Sequence, residues 1–359
     1  MIILIAIFIF IVVVYAFLNL YPDFGGRVTK EKLQVYSNLS YFKKNKFVNE
    51  VHTSMDMSVR SMISILIDYI KGNPRSKPNK EIPIESYKLS NHHPKITWFG
   101  HSTILLEIDG KRLLIDPMFG KAPSPFPWLG LGRFSKKLPI EIEDLPKIDA
   151  VIISHDHYDH LDYYSIKKLK AKTTKFFVPL GVGIHLERWD VDSKNISEHG
   201  WWEEVSFDAL KLVCTPSRHF SGRSLTDRDA TLWCSWTILG ENKSIYFSGD
   251  TGYGPHFKEI GEKYGPFDIT LLECGQYDSR WSEIHMMPEQ TVEAHIDLKG
   301  KLLIPIHWSA FILSLHDWND PVKRVTNAAN RKNQFISTPK IGEPVLLGTD
   351  SYPKTIWWE

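Results

Sequence analysis

The sequence predicts an α+β fold in which two sheets lie face to face with helices outside, preceded by one N-terminal transmembrane helix. Three features predict it: an uncharged apolar run at the N-terminus, short β-rich runs alternating with helical patterns from Lys95 onward, and an internal echo between two halves of that region. With 359 residues, 43% hydrophobic and 24% charged, the chain has the material for one large domain or two ordinary ones. Lys and Arg number 43 against 42 Asp and Glu, and the resulting net charge of +1 leaves no broad electrostatic footprint for nucleic acid, so no nucleic-acid partner is expected. Cys214, Cys234 and Cys274 are far apart and form no CxxC, which argues for buried thiols over a disulfide framework or a cysteine-based zinc site.

No charged side chain occurs between Met1 and Pro22, and residues 2–14 (IILIAIFIFIVVV) are apolar without a break. About 20 residues rising 1.5 Å each span the roughly 30 Å hydrocarbon core of a bilayer. A cleaved signal peptide is the competing reading; no Lys or Arg precedes the run and no A-x-A site follows it, so an uncleaved single-pass anchor is preferred. Arg27, Lys30 and Lys32 follow closely and, by the positive-inside rule, put the rest of the chain on the cytoplasmic face. Residues 1–22 are thus read as a membrane anchor, 23–94 as a connector with some helix, including apolar residues at helical spacing over 55–70, and 95–359 as the main domain.

From Lys95 the runs ITWFG, STILLEI and KRLLIDP read as strands, the last two joined by Asp109-Gly110, a strong hairpin signal. Further strands are expected at 149–154, 175–178, 210–215, 230–239, 243–248, 268–273 and 301–306, with helices near 161–171, 256–264, 288–298 and 319–330. The echo pairs a hairpin ending at Asp116 and followed by IDAVIISH with a hairpin ending at Asp250 and followed by FDITLLEC. Two units of hairpin plus buried strand suggest two facing sheets, although any pair of αβ units shares some of this likeness.

The chemistry concentrates in His155-Asp156-His157-Tyr158-Asp159-His160, where the strand AVIIS runs out into a loop. Strand ends let side chains converge on a cleft without disturbing a core. So many imidazoles and carboxylates in one short segment would repel and resist desolvation unless a cation held them. His155 and His157 can reach one ion and Asp159 and His160 a second, with zinc suiting this donor set and manganese or iron able to occupy it. His219 in TPSRH, Asp250 in FSGD and His307 in PIHW each follow a buried strand, so they can gather at the same rim. Any one of them alone reads more readily as a loop histidine or a turn aspartate; it is their company that makes them candidates.

HDHYDH followed in order by a single His, Asp and His at strand ends resembles the metallo-β-lactamase superfamily. Within it the chain is most similar to N-acylphosphatidylethanolamine-hydrolysing phospholipase D and its bacterial relatives. The likeness is carried by ITWFGHST, LLIDPMF, LPKIDAVIISHDHYDHLDYYSI, TPSRH, LWCSW, FSGDTGY, MMPEQ and IPIHW, and covers about residues 95 to 310. It implies an αββα sandwich of two mixed sheets and two zinc ions, with Mn2+ or Fe2+ as alternatives. His155, His157 and His219 would form site one, Asp159, His160 and His307 site two, and Asp250 would bridge both. It also implies a phospholipid substrate, split by a hydroxide shared between the ions into a phosphatidic acid and an N-acylethanolamine-like alcohol. Asp159 is placed to take a proton or orient the hydroxide, and His285, which matches a histidine at the metal centre of the relatives, to contact phosphate or donate a proton. A solvent-facing histidine at a helix start is the alternative for His285. His101 and Asp116 are read as groups behind the ligands that orient them. Gln276 stands where relatives tend to carry a small residue, which bears on head-group preference.

Residues 122–134 (APSPFPWLGLGRF) combine proline, glycine and aromatics, suited either to a lipid interface or to a loop packed on the core. Trp201, Trp202, Trp233, Trp236, Trp281 and Trp308 read as core. SGDTGYG lacks the order of a phosphate-cradling loop. Expected partners are the membrane and its phospholipid, with a homodimer left open. Two rival readings are a lactonase or other small-ester hydrolase of the same fold, and a non-catalytic membrane-tethered binding protein.

Overall fold

The structure is a computed structural model that describes residues 1–55, 58–89, 94–129, 132–349 and 351–359. Positions 56 and 57 of the stretch with helical spacing, and 130 and 131 of the proline- and glycine-rich loop, lie outside the described residues. The apolar N-terminus forms helix α1 (Ile2–Leu20), long and apolar enough to cross a membrane, with none of residues 3–20 fully buried and its last turn touching the domain through Phe17 and Asn19. The chain continues through α2 (Lys30–Tyr36) and a tight hairpin of β1 (Phe42–Lys43) and β2 (Lys46–Phe47), whose turn residues Lys44 and Asn45 both have positive φ. Tyr36, Phe42 and Phe47 are buried in the main core. Helix α3 (Val59–Lys71) follows, its first turn capped by the Ser58 hydroxyl.

The first sheet begins with β3 (Lys95–Trp98), β4 (Ile104–Ile108) and β5 (Lys111–Ile115), an antiparallel meander whose Asp109-Gly110 turn has positive φ at both positions. It continues in parallel through β6 (Ile148–Ile152), β7 (Thr173–Pro179) and β8 (Ile196–His199), with α4 (Tyr163–Leu169) and α5 (Gly183–Arg188) on its outer face. The second sheet comprises antiparallel β9 (Glu204–Phe207), β10 (Leu210–Thr215), β11 (Ser235–Leu239) and β12 (Ser244–Phe247), then parallel β13 (Ile269–Glu273) and β14 (Leu302–Ile306). Helices α6 (His256–Lys263), α7 (Pro288–Asp297) and α8 (Asp320–Arg331) cover it, and β15 (Pro344–Leu346) returns to pair with β3.

Period-two alternation explains the layering. In β4, Ile104 and Leu106 face the core between the sheets while Leu105 faces the outer core under α4 and α5; in β5, Leu113 and Ile115 face inward and Leu114 outward. Each strand is therefore apolar on both faces. The order antiparallel hairpin then parallel strand occurs in β4–β5–β6 and again in β11–β12–β13, as the sequence echo suggests. This is an α+β sandwich of two mixed sheets with helices outside.

One expected strand is shorter than the pattern implied. Residues 230–234 are not ladder-paired; Leu232 N donates to Leu180 O (2.8 Å) and Cys234 N to Ser154 O (2.9 Å), so this apolar stretch bonds to loops of the first sheet. At the other end of the chain, Trp357 stacks on Trp308 (5.1 Å between rings), which itself stacks on Trp98 (5.4 Å). The C-terminal tail thus braces the segment that follows β14. Trp236, fully buried between the sheets, also donates its indole N–H to Ile153 O (2.8 Å). Trp236→Ala removes that packing and orphans the carbonyl; we expect a loss of about 3–5 kcal/mol in unfolding free energy, read from denaturant titration in detergent.

Candidate metal centre

The loops after β5, β6, β10, β12, β13 and β14 open on the same rim of the sandwich. Asp116, fully buried just after β5, accepts from Ser154 N (2.7 Å), Ser154 Oγ (2.6 Å) and His160 Nδ1 (2.7 Å). This fixes the His160 ring with Nε2 facing Asp250 Oδ2 (3.1 Å) and Asp159 Oδ2 (3.4 Å). Ser154 Oγ also contacts His155 Nδ1 (3.0 Å), leaving His155 Nε2 at 2.9 Å from His157 Nδ1, which is 3.2 Å from His219 Nε2. His219 Nδ1 donates to Ile284 O (2.9 Å), and its backbone is held at both N–H and carbonyl by Asn49. In His155, His160 and His219 one ring nitrogen is spent on the protein and the other is aimed inward, the usual way a ligand histidine is oriented.

Two donor groups result. His155, His157, His219 and Asp250 present one ligand atom each within 4.8 Å of one another, and so do His101, Asp159, His160 and His307. Asp250 lies between them: Oδ2 faces His155 and His219 (3.8 Å each) and His160, while Oδ1 is 3.1 Å from His307 Nδ1. His101, expected behind the ligands, stands beside them, its Nε2 at 2.8 Å from Asp159 Oδ2. Asp156 turns away and holds Gly222 N (2.8 Å) and Thr231 Oγ1 (2.8 Å), so it organises the neighbouring loop and not the cluster. His101, Asp116 and His307 all have positive φ, a backbone cost that non-glycine residues bear at functional sites. Gly249, also at positive φ, lies so close to Ser154 that a Cβ would sit 2.7 Å from the serine Cβ, which explains glycine before Asp250.

Electrostatics point the same way. Burial pushes His155, His219 and His307 well below the ordinary histidine value, giving neutral rings with a lone pair to offer. His160 goes the other way: burial opposes its charge, but Asp250, Asp159 and Asp116 outweigh burial and lift it well above that value. The spot demands positive charge, whether a proton or a metal ion. His160 Nε2 and Asp250 Oδ1, both buried, make no directed hydrogen bond. The donor set, imidazole nitrogen plus carboxylate oxygen, fits zinc or a similar divalent cation.

A third cluster was not read from the sequence. Glu273, buried at the end of β13, accepts from Thr251 N (3.0 Å) and Met286 N (3.2 Å) through Oε1 and faces His285 Nδ1 (3.0 Å) through Oε2. Burial works against a charge on His285, but Glu273, Asp250 and Asp159 outweigh it and lift the imidazole to about 9. His285 lies 5.0 Å from the His219 ring and 5.3 Å from the His307 ring, inside the site and not at a solvent-facing helix start. A carboxylate closing an apolar strand, LLEC, was the available signal for Glu273.

The cluster floors a cavity of about 240 Å³. Its polar lining residues include His157, Asp159, His219, Asp250, His285 and His307 and its apolar ones Met55, Ile65, Phe220, Trp281, Ile284 and Leu313, with Phe220 packed directly on His157 (4.5 Å between rings) and His219 (4.8 Å). Arg280 also lines it, but its guanidinium is engaged by Asp278, Ser64 and Asp68. Gln276, at positive φ, spends its amide on Phe311 O (3.3 Å) and Leu313 N (3.0 Å), clamping the loop that borders the cavity. Asp116→Asn removes an acceptor that holds His160; zinc affinity is expected to fall about 10–100-fold, measured by chelator competition, with the far-UV spectrum unchanged.

A β-lactamase superfamily domain model matches residues 111–308. Uncharacterized proteins of Mycobacterium tuberculosis and Mycobacterium bovis are 41% identical over 312 residues, covering 85% of this chain and 83% of theirs. The N-acyl-phosphatidylethanolamine-hydrolyzing phospholipase D 1 of Caenorhabditis elegans is 31% identical over 283 residues, covering 73% of this chain and 79% of its own length. Among solved structures, the metallo hydrolase Igni18 of the archaeon Ignicoccus hospitalis superposes with a TM-score of 0.55 at 24% identity, covering 72% of this chain and 99% of its own, which speaks to the fold alone. With the model spanning more than half the sequence and the His/Asp clusters at one rim, the chain belongs to the β-lactamase superfamily and is a metal-dependent hydrolase.

Proposed function

We propose that the protein is a phospholipase D-type phosphodiester hydrolase acting on N-acylphosphatidylethanolamine or a related phospholipid at a membrane surface. The observation that carries this reading is a cavity whose lining combines charged donors with apolar side chains, suited to a phosphodiester attached to acyl chains. The similarity to the nematode phospholipase D supports it. In this reading residues 1–22 anchor the chain, 23–94 connect, and 95–359 form a catalytic domain on the cytoplasmic face, as Arg27, Lys30 and Lys32 suggest.

His155, His157 and His219 would hold one ion and Asp159, His160 and His307 a second, with Asp250 shared; His101 beside Asp159 would keep that carboxylate oriented. Bound there, zinc, or Mn2+ or Fe2+ in its place, would lower the proton affinity of water and neutralise charge on a phosphoryl oxygen. The residues of the chain do the rest. Asp159 is suited to accept a proton from the attacking water, and its hydrogen bond with His101 limits it to one orientation. His285, steadied by Glu273, can donate a proton to the departing N-acylethanolamine oxygen or hold a phosphate oxygen. With Arg280 engaged elsewhere, His285 is the cationic side chain available for that role in the described lining. The apolar members of the lining would exclude water from the acyl chains.

Liposomes of N-acylated and plain phosphatidylethanolamine, assayed with metal analysis of the same sample, test the reading. Release of phosphatidic acid from the N-acylated lipid is the expected result; turnover of soluble lactones with none on either lipid would overturn it. His157→Ala should abolish turnover and lower bound zinc together. His285→Ala should retain zinc while kcat falls about 10²–10⁴-fold, and Glu273→Gln should lower kcat in the same direction by less.

A further inference from the structure

Helix α3 is inside out. An amphipathic helix on a water-soluble domain turns its apolar stripe to the core and its polar stripe to solvent. Here the inward face is polar apart from Ile65: Ser61 is buried, and Ser64 Oγ (3.1 Å) and Asp68 Oδ2 (2.9 Å) accept from Arg280. The outward face carries Val59, Met62, Ile63, Leu66, Ile67 and Ile70, with exposures of 69%, 44%, 52%, 59%, 43% and 76%. Arg60 and Lys71, both exposed, flank the stripe.

The surroundings identify what covers this stripe. At the base of α1, Phe17, Tyr21 and Phe24 pack around Phe126, and Tyr21 donates to Pro125 O (2.6 Å). Trp128 stands edge-on to Tyr21 and is 69% exposed, as aromatic residues at a bilayer interface are. Arg223 ties this base to the metal loop, donating to Asp23 O (2.9 and 2.8 Å), Asp156 O (2.6 Å) and Leu161 O (2.7 Å). Leu225 in the same loop is 89% exposed, and Phe220 near the loop's start lines the cavity together with Ile65 of α3. The loop after β10 thus carries a cavity-lining Phe220 and an exposed leucine, and through Arg223 it is bonded to the root of a membrane-length helix with its aromatic collar.

We propose that α3 lies in the plane of the lipid interface and that the rim bearing the metal cluster is the membrane-docking face, so that a lipid enters the cavity sideways past Met55 and Ile65. The entry of a substrate lipid rests on the function proposed above; the docking does not. The occupant is the bilayer and not a second copy of the chain, because α1 rooted at this rim brings the membrane against it. Arg60 and Lys71 at the ends of α3 match the lipid phosphates on either side of an inserted stripe.

The test uses the full chain in nanodiscs of phosphatidylcholine and phosphatidylglycerol. Cys214, Cys234 and Cys274 are buried and free, so a fluorophore can be attached selectively to Leu66→Cys, or to Glu262→Cys on α6 as a water-facing control. The expected result is blue-shifted emission at 66, quenched by spin-labelled lipid and insensitive to iodide, with the opposite pattern at 262. Equal iodide quenching at both positions would overturn the proposal. Protection from both quenchers, with disulfide-linked dimers through position 66, would overturn it in favour of a second copy. The probe needs no turnover, so its outcome is separate from whether the substrate is a phospholipid. In parallel, Leu66→Asp should cost at least about tenfold in turnover of bilayer lipid through lost interfacial contact, with hydrolysis of soluble bis-p-nitrophenyl phosphate unchanged; equal losses on both substrates would count against docking.

Discussion

The buried carboxylate of Asp250 sets the constraint on which the rest of the structure depends. It stands between two groups of imidazoles and carboxylates, buried except for the partly exposed side chains of His157 and Asp159, that would repel one another or bear unpaired charge if left alone. Positive charge at this point converts a costly concentration of polar groups into a stable one. The sandwich serves that requirement by ending its central strands at a common rim, where side chains can meet without interrupting either core.

Holding such a cluster in register takes a further tier of bonds. Asp116 and Ser154 orient His155 and His160, Ile284 O orients His219, Glu273 steadies His285, and the stacked Trp98, Trp308 and Trp357 brace the segment carrying His307. His101, Asp116 and His307 each adopt positive φ, a backbone cost at the candidate site. The cost is borne by flanking strands that are apolar on both faces and therefore strongly committed to their ladders.

The segment between α1 and the first sheet reaches the candidate site directly. Asn49 clasps the His219 backbone, and Met55 and Ile65 supply cavity wall. Ile65 of α3 shares the cavity lining with Phe220, and the base of α1 is bonded through Arg223 to the loop that carries both Phe220 and His219.

The sequence by itself determined the alternation of strands and helices, the Asp109-Gly110 turn, the apolar N-terminal helix and the positions of His and Asp after buried strands, because these follow from local periodicity, turn chemistry and composition. Tertiary structure decided what local patterns cannot carry. Residues 230–234 look like strand but bond to Leu180 and Ser154 across the sandwich. Asp156 shares a motif with Asp159 yet faces Gly222 and Thr231. His101 meets Asp159 and Glu273 meets His285 only through the fold. The periodicity of α3 marks a helix with an apolar side, but which side faces out depends on Arg280, more than 200 residues away in the chain. Period is a property of neighbours along the chain, while orientation is settled by partners that folding alone brings near.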